Sequence, residues 1–338
     1  MTALPTRRLG ANGPEITRVG LGAWAIGGGG YAFGWGPQED EESIRTMRHA
    51  VERGVNWIDT APVYGLGHSE EVVGRLLRRL PAGERPYVFT KCGLVWDESD
   101  PMASPRRNLR PESIRRECEA SLRRLGVEAI DLYQFHWPDE TGTPVEDSWE
   151  AMSRLVEEGK VRWAGVSNFD VEMLEACEPI RHVDSLQPPF SLIRREVGAA
   201  ELPWCAAHGT GVIVYSPMQS GLLTGKWTED RVRALAEDDW RRRATEFQSP
   251  NVERNLALRD ALAPAAERHG ASIASVAVAW TLAWPQVTGA IVGARTPEQV
   301  DGWIPAASLE LAAEDLEEIA RAVAGTGAGE GPARPADA

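Results

Sequence analysis

Lysine is nearly missing from this chain. Of 36 basic residues among 338, only Lys91, Lys160 and Lys226 are lysines. Cysteine is scarce too. Cys92, Cys118, Cys177 and Cys205 stand far apart with no C-x-x-C pair. That spacing excludes a zinc ribbon or a disulfide framework and reads as reduced core residues. Positive charge is in deficit, with 36 basic against 50 acidic residues and a net charge of -14. Nucleic acid is therefore not expected as a partner, because neutralising phosphates needs a basic face. No run approaches the roughly 18 apolar residues that cross a bilayer, so no membrane partner is expected. The start Met1-Thr2-Ala3-Leu4-Pro5 has no apolar signal core, and the expected location is cytoplasmic. Five of the six histidines, His49, His68, His182, His208 and His269, show no ligand spacing, so no metal is expected. No period of 20–50 residues repeats.

What the chain does have is a long alternation. A hairpin is predicted over residues 7–19, turning at Asn12-Gly13. Short apolar runs then fall at 19–24, 56–60, 87–92, 130–137, 161–167, 185–190, 212–216 and 289–293. Helical patterns lie between them, at 40–53, 69–80, 111–125, 145–158, 171–176 and 201–208, and later at 252–269, 272–283 and 313–324. The helix from Pro111 is typical: proline suits the first turn, Ile114, Cys118, Leu122 and Leu125 form one stripe, and Gly126 stops it. Near-continuous apolar strands are expected where both faces of a parallel sheet are covered. Eight such units predict an α/β fold, a single-domain (β/α)8 TIM barrel over residues 1–324, with the N-terminal hairpin closing its bottom. The Gly-, Ala- and Pro-rich tail over 325–338 is expected to be disordered.

Barrel chemistry gathers at the C-terminal ends of the strands. Asp59 ends the second run, with Tyr64 in the loop after it. Lys91 ends the third run and His136 lies at the end of the fourth. In a chain that uses arginine almost everywhere, a lysine at a buried strand end is chosen for its compact, tunable ammonium. A buried ammonium needs a partner, and Asp59 is the candidate. Tyrosine ionises near pH 10, and a nearby ammonium is expected to lower that value. A neutral His136 N–H is placed to orient a substrate oxygen. The set suits protonation of a developing alkoxide, hence hydride transfer to a carbonyl or the reverse oxidation of an alcohol.

Two motifs carry a resemblance. The stretch Ile58-Asp59-Thr60-Ala61-Pro62-Val63-Tyr64-Gly65, with Gly67 and Ser69-Glu70, resembles the signature of the aldo-keto reductases. Asp131 to Asp139, around His136, is similar to the family's active-site histidine segment, and 165–169 and 291–296 also match. The resemblance runs from about residue 6 to 320. It implies a barrel that binds a nicotinamide cofactor without a Rossmann fold, Tyr64 as general acid/base, Lys91 and Asp59 as its tuning pair, and His136 as the carbonyl-orienting residue. It further implies Ser167, Asn168 and Gln187 at the nicotinamide carboxamide and Tyr215 stacked on the ring. Ser216, Met218, Ser220 and Lys226 fall on the segment around the pyrophosphate. Gly293, Arg295 and Gln299 fall where the family holds the adenosine 2′-phosphate end. An arginine there forks onto phosphate, so the expected cofactor is NADPH (NADP+), with NADH disfavoured. The chain departs from many relatives at Gly302 and Trp303, where they carry Glu and Asn; Trp303 either stacks on adenine or packs in its helix.

Trp24, Phe33, Trp35, Trp96 and Trp137 are candidates for an aromatic substrate pocket, suited to sugars, ketones or aromatic aldehydes. Gly20-Leu21-Gly22-Ala23-Trp24-Ala25 fits a dinucleotide pattern, but the tetrad Gly27 to Gly30 follows it instead of a helix. No helix N-terminus then faces a pyrophosphate, and the tetrad reads as a mobile loop. The expected partner is a small carbonyl or alcohol substrate. Two alternatives use the same residues: a sugar or alcohol dehydrogenase working oxidatively, and a non-catalytic accessory subunit that senses the cofactor. The histidine at the fourth strand end favours catalysis.

Overall fold

The structure is a computed structural model that describes residues 3–237 and 239–335. Eight parallel strands close into a barrel in sequence order. They are β1 (Val19–Gly22), β2 (Trp57–Asp59), β3 (Tyr87–Cys92), β4 (Ile130–Phe135), β5 (Val161–Ser167), β6 (Ser185–Gln187), β7 (Gly211–Val214) and β8 (Gly289–Gly293). Closure is made by β8 on β1, with Ala290 opposite Val19 and Gly293 opposite Gly22. No helix among the described residues is long and apolar enough to cross a membrane.

The strand glycines are steric. A Cβ on Gly20 would sit 2.1 Å from the Trp57 indole, and one on Gly22 would meet Ile291 at 2.8 Å. The glycines of the dinucleotide-like pattern thus make room inside the barrel. The hairpin pairs Thr6–Arg8 with Glu15–Thr17. Its Leu9 and Ile16 are fully buried against Trp57, Phe89, Leu132 and Ile213, which fill the bottom of the barrel. Trp57 Nε1 donates to the Thr17 carbonyl at 2.8 Å, tying plug to wall.

The helix Pro111–Leu125 ends where the pattern placed it, at Gly126 with φ of 69°. The pattern over 252–269 resolves into two helices, Asn251–Asp260 and Ala263–Arg268. Pro264 has no N–H to continue the ladder onto Asp260. The last helix runs from Ala313 to Thr326, beyond the predicted end.

The expectation of a disordered tail from Gly325 is corrected as far as Pro335, and positions 336–338 lie outside the described residues. Ala328 is buried, and Glu330 bridges to Arg194. The glycines that suggested disorder are what this seat demands. Gly329 and Gly331 have φ of 61° and 95°, and a Cβ on either would strike the backbone of residues 193–196.

Candidate active site

Six successive strand ends, β2 to β7, bring the site together. Lys91, on β3, is fully buried, and its Nζ donates to Asp59 Oδ1 at 2.6 Å and to the Thr60 carbonyl at 2.9 Å. Gln187, ending β6, donates Nε2 to the other carboxylate oxygen at 2.9 Å. The Asp59 carboxylate is therefore held from both sides, and the Lys91 charge has its counter-ion. Burial lowers the Lys91 pKa, against the charge and hydrogen bond of Asp59, which raise it. The acid layer continues outward: the fully buried Glu70 accepts from Thr90 and from Arg124 Nε, each at 2.6 Å.

The Tyr64 ring lies above this pair, 5.4 Å from Lys91 Nζ to its centroid. Its loop is fixed by two glycines pressed together. A Cβ on Gly27 would meet Tyr64 and Gly65 backbone at 2.7 Å, and one on Gly65 would meet the Gly27 carbonyl at 2.3 Å. The His136 ring stands edge-on to Tyr64, centroids 5.7 Å apart. Burial, then the charge of Lys91, pushes the imidazole well below its ordinary pKa, so it is neutral.

One expectation is corrected here. The ammonium was expected to lower the tyrosine pKa. Burial instead raises Tyr64 well above 10, and the Asp59 charge adds to the rise. The physical reason is desolvation of the buried phenol, with the Asp59 charge beside it and the Lys91 ammonium already paired. Lys91 gives its charge to Asp59 at 2.6 Å, while the tyrosine ring is 5.4 Å away.

Beside the tyrosine, Ser167, Asn168, Gln187 and Tyr215 converge as expected. The Tyr215 hydroxyl donates to Asn168 Oδ1 at 2.8 Å. Asn168 Nδ2 donates to the His136 carbonyl at 2.9 Å and to Ser167 Oγ at 3.0 Å. Asn168 has φ of 62°, a left-handed turn that swings its amide back over the strand end. Ser216 and Ser220 are left-handed as well, at 54° and 52°, and lie half-buried with Met218 on the loop after β7. Lys226, on that loop, is exposed. An amide pair, a hydroxyl and a half-buried aromatic face at one rim fit the carboxamide-bearing ring of a nicotinamide.

The adenosine end differs from expectation. Gly293 and Gln299 are exposed at the β8 rim, and Gln299 Oε1 accepts from the Arg295 N–H at 2.9 Å. The Arg295 guanidinium is turned onto the loop after β1. It donates from Nε to Gln38 Oε1 at 2.8 Å, from Nη1 to the Trp35 carbonyl at 3.1 Å, and to the Pro37 carbonyl. The end of that loop, at Trp35, Pro37 and Gln38, is thus tied to the β8 rim. Trp303 is buried in the core and packs in its helix.

Of the pocket candidates, Trp24 stacks on Tyr64 at 6.0 Å and meets Trp35 edge-on at 5.3 Å. Trp137, like Tyr64, packs against the buried cluster of Ala61, Val63 and Leu94, and Arg107 covers its ring at 4.4 Å. Phe33 is an exposed side chain whose carbonyl, rather than its ring, faces Trp24. Trp96 is half-buried after Leu94–Val95, with no ring partner among the described aromatic pairs. Sequence reasoning missed Trp240. It stacks on Trp24 at 5.3 Å and meets Trp35 edge-on at 5.6 Å. Its signal was a tryptophan, one of two with Trp227, in the otherwise polar loop after β7. The cleft of about 640 Å³ between Trp284, Pro203 and the tail lies on other elements and holds none of this chemistry.

Residues 18–324 match the profile of the aldo/keto reductase family. The chain is 36% identical to aldo-keto reductase YhdN of Bacillus subtilis, over 91% of this chain and 90% of that one. It is 35% identical to an NADH-specific methylglyoxal reductase of Escherichia coli, over 93% and 98% of the two chains. The solved structure of a glycerol dehydrogenase from Gluconobacter oxydans superposes with a TM-score of 0.87 at 38% identity, covering 100% of both chains. With this barrel and these matches, the chain belongs to the aldo/keto reductase family and is an NAD(P)H-dependent oxidoreductase acting on carbonyl compounds.

Proposed function

We propose that the protein reduces small aldehydes, ketones or keto sugars with NADPH, and that Tyr64 gives the proton. The observation that carries this reading is the buried Lys91–Asp59 pair beneath the Tyr64 ring, with neutral His136 edge-on beside it. When bound, the nicotinamide supplies a hydride to the carbonyl carbon. The His136 N–H orients the carbonyl oxygen and stabilises its developing charge. The Tyr64 hydroxyl then gives its proton to that oxygen, leaving an alcohol. Lys91 and Asp59 hold the floor beneath the ring fixed, and the Asp59 charge helps keep the Tyr64 proton in place until the alkoxide develops. Ser167, Asn168 and Gln187 would hold the carboxamide, Tyr215 the ring face, and Ser216, Met218, Ser220 and Lys226 the phosphates. Trp24, Trp35 and Trp137 would wall the substrate side of the mouth with apolar ring edges, since Trp240 stacks on Trp24 and Arg107 and Arg241 cover the faces of Trp137 and Trp35. The relatives named for methylglyoxal and glycerol support a small polar substrate.

NADPH is favoured by Arg295, on the segment where the family holds the 2′-phosphate end, since a guanidinium forks onto a phosphate. The neighbouring Arg241 lies over Trp35 at 4.9 Å and is committed to Asp239. NADH is the second reading, favoured by the commitment of Arg295 to the loop after β1. The oxidative direction, supported by the glycerol dehydrogenase likeness, needs Tyr64 to lose its proton first. Burial and Asp59 oppose that at neutral pH.

Following NADPH and NADH absorbance across a panel of aldehydes, ketones and keto sugars tests the reading. Faster NADPH consumption is expected, and Arg295→Met should cut the preference by about ten-fold. Equal rates with both cofactors in the unaltered protein would sink the NADPH assignment. Tight cofactor binding without turnover of any carbonyl would favour the sensing role.

A further inference from the structure

The tail is seated as closely as any core segment. Arg195, in the loop after β6, is a buried guanidinium with no salt-bridge partner among the described residues. Carbonyls alone hold it. Nη1 donates to Ala328 O at 3.1 Å and to Leu192 O, and Nε donates to Gly331 O at 3.3 Å. The Arg195 N–H donates to the Glu330 carbonyl at 3.1 Å. A Cβ on Gly329 would lie 1.8 Å from the Ile193 carbonyl, and one on Gly331 would lie 2.4 Å from the Arg195 carbonyl carbon. Glycine backbone and guanidinium are matched to each other. A guanidinium buried with no ion-pair contact, only the more distant charge of Glu196, is a costly anchor.

The seat leads to the loop after β7. Ser191 Oγ accepts from the Ile193 and Arg194 N–H groups, each at 3.1 Å, and donates to Gln219 Oε1 at 2.9 Å. Gln219, left-handed at φ of 44°, passes the link to Glu246 at 2.9 Å. Two backbone bonds run alongside. Phe190 N–H donates to the Tyr215 carbonyl at 3.1 Å, and Tyr215 N–H to the Pro188 carbonyl at 3.0 Å. The segment 188–196 therefore touches the tail at one end and brackets 215–219 at the other.

We propose that residues 327–335 are a strap that positions the 215–226 segment, that Arg195 is the positioning residue that fastens it, and that the strap sets the affinity for the nicotinamide cofactor. This rests on the reading that 215–226 holds that cofactor. The strap acts on the cofactor side of the mouth, and its link to substrate is indirect.

Two variants displace the strap differently: a chain ended after Thr326, and Gly329→Val, whose side chain has no room against Ile193. Each is made with and without Ser191→Ala. Cofactor Kd is read from quenching of tryptophan fluorescence by NADPH and by NADH, alongside kcat, KM and Tm. Both strap variants should raise Kd by about five-fold or more, with kcat at saturating cofactor within about two-fold. In the Ser191→Ala background, where the side-chain link to Gln219 is cut and only the two backbone bonds remain, strap loss should add less to Kd than it does in the unaltered protein. Unchanged Kd in folded variants, or full additivity with Ser191→Ala, would overturn the strap. Failure of both variants to fold would overturn it too, assigning the tail to stability alone. An unaltered protein that binds neither cofactor would sink the cofactor reading and the strap together, an outcome distinct from tight binding that the variants leave unchanged.

Discussion

Tyr64 keeps its proton because it is desolvated over a carboxylate whose lysine is already spoken for. Removing the hydroxyl removes the donor and little else, since the ring faces Trp24 and His136. Tyr64→Phe should lower kcat by about 10²–10⁴, with cofactor Kd unchanged in fluorescence titration. The same burial gives the pH profile its shape. His136 stays neutral well below 6.5 and Tyr64 protonated well above 10, so neither bends the reductive rate near neutrality. Lys91 titrates below its ordinary 10.5, and losing its charge leaves Asp59 unopposed. The alkaline limb of kcat should therefore begin below 10.5 and be absent from the residual activity of Lys91→Met. A profile identical in the two proteins would remove Lys91 from that role. These four residues were legible because strand ends in a barrel share one mouth, so their placement needed only the register of apolar runs. The direction of the tyrosine shift was not legible, because it depends on ångström distances among three groups.

Among the elements, the helix Ala313–Thr326 shows how a local lock carries charge. Asp315, in its first turn, accepts from His269 at 2.7 Å and from Arg268 at 2.6 Å, and caps the Ala312 N–H at 2.9 Å. Burial acts to raise this carboxyl, but the bonds to His269 and Arg268 outweigh it and hold it at about 2, below 3.8. A depressed acid stabilises the fold above its unfolded pKa and loses that contribution as pH falls through the folded value. Asp315→Asn should therefore cost on the order of 1–2 kcal/mol at neutral pH, after discounting for solvent, and abolish the loss between about pH 4 and 2. Melting curves against pH check both. Helix existence was readable from periodicity and from stops such as Gly126. The break before Pro264 was signalled but overridden by the apolar pattern. The tail misled because Gly-rich composition looks the same whether it is disordered or demanded by left-handed seats.

The barrel as a whole was legible because eight apolar runs with helices between them have few closed solutions. The contacts of the long loop after β7 were not, since Trp240 reaches Trp24 and Trp35 across the molecule and no period encodes that. The hairpin plug belongs to this scale also. Leu9 closes the bottom against side chains from several strands. Leu9→Ala should cost about 2–5 kcal/mol in denaturant melts with little change in KM; a stable variant would mean the plug only decorates the barrel. Closure of β8 on β1 has a consequence in time. Val19 waits for Ala290 before its open side is paired. At about 5–20 residues per second of synthesis, that wait is roughly a quarter of a minute to a minute. Throughout it the nascent chain carries an unpaired strand edge. Any chain released before β8 keeps that edge for good, so truncated products of this protein should be the ones that aggregate.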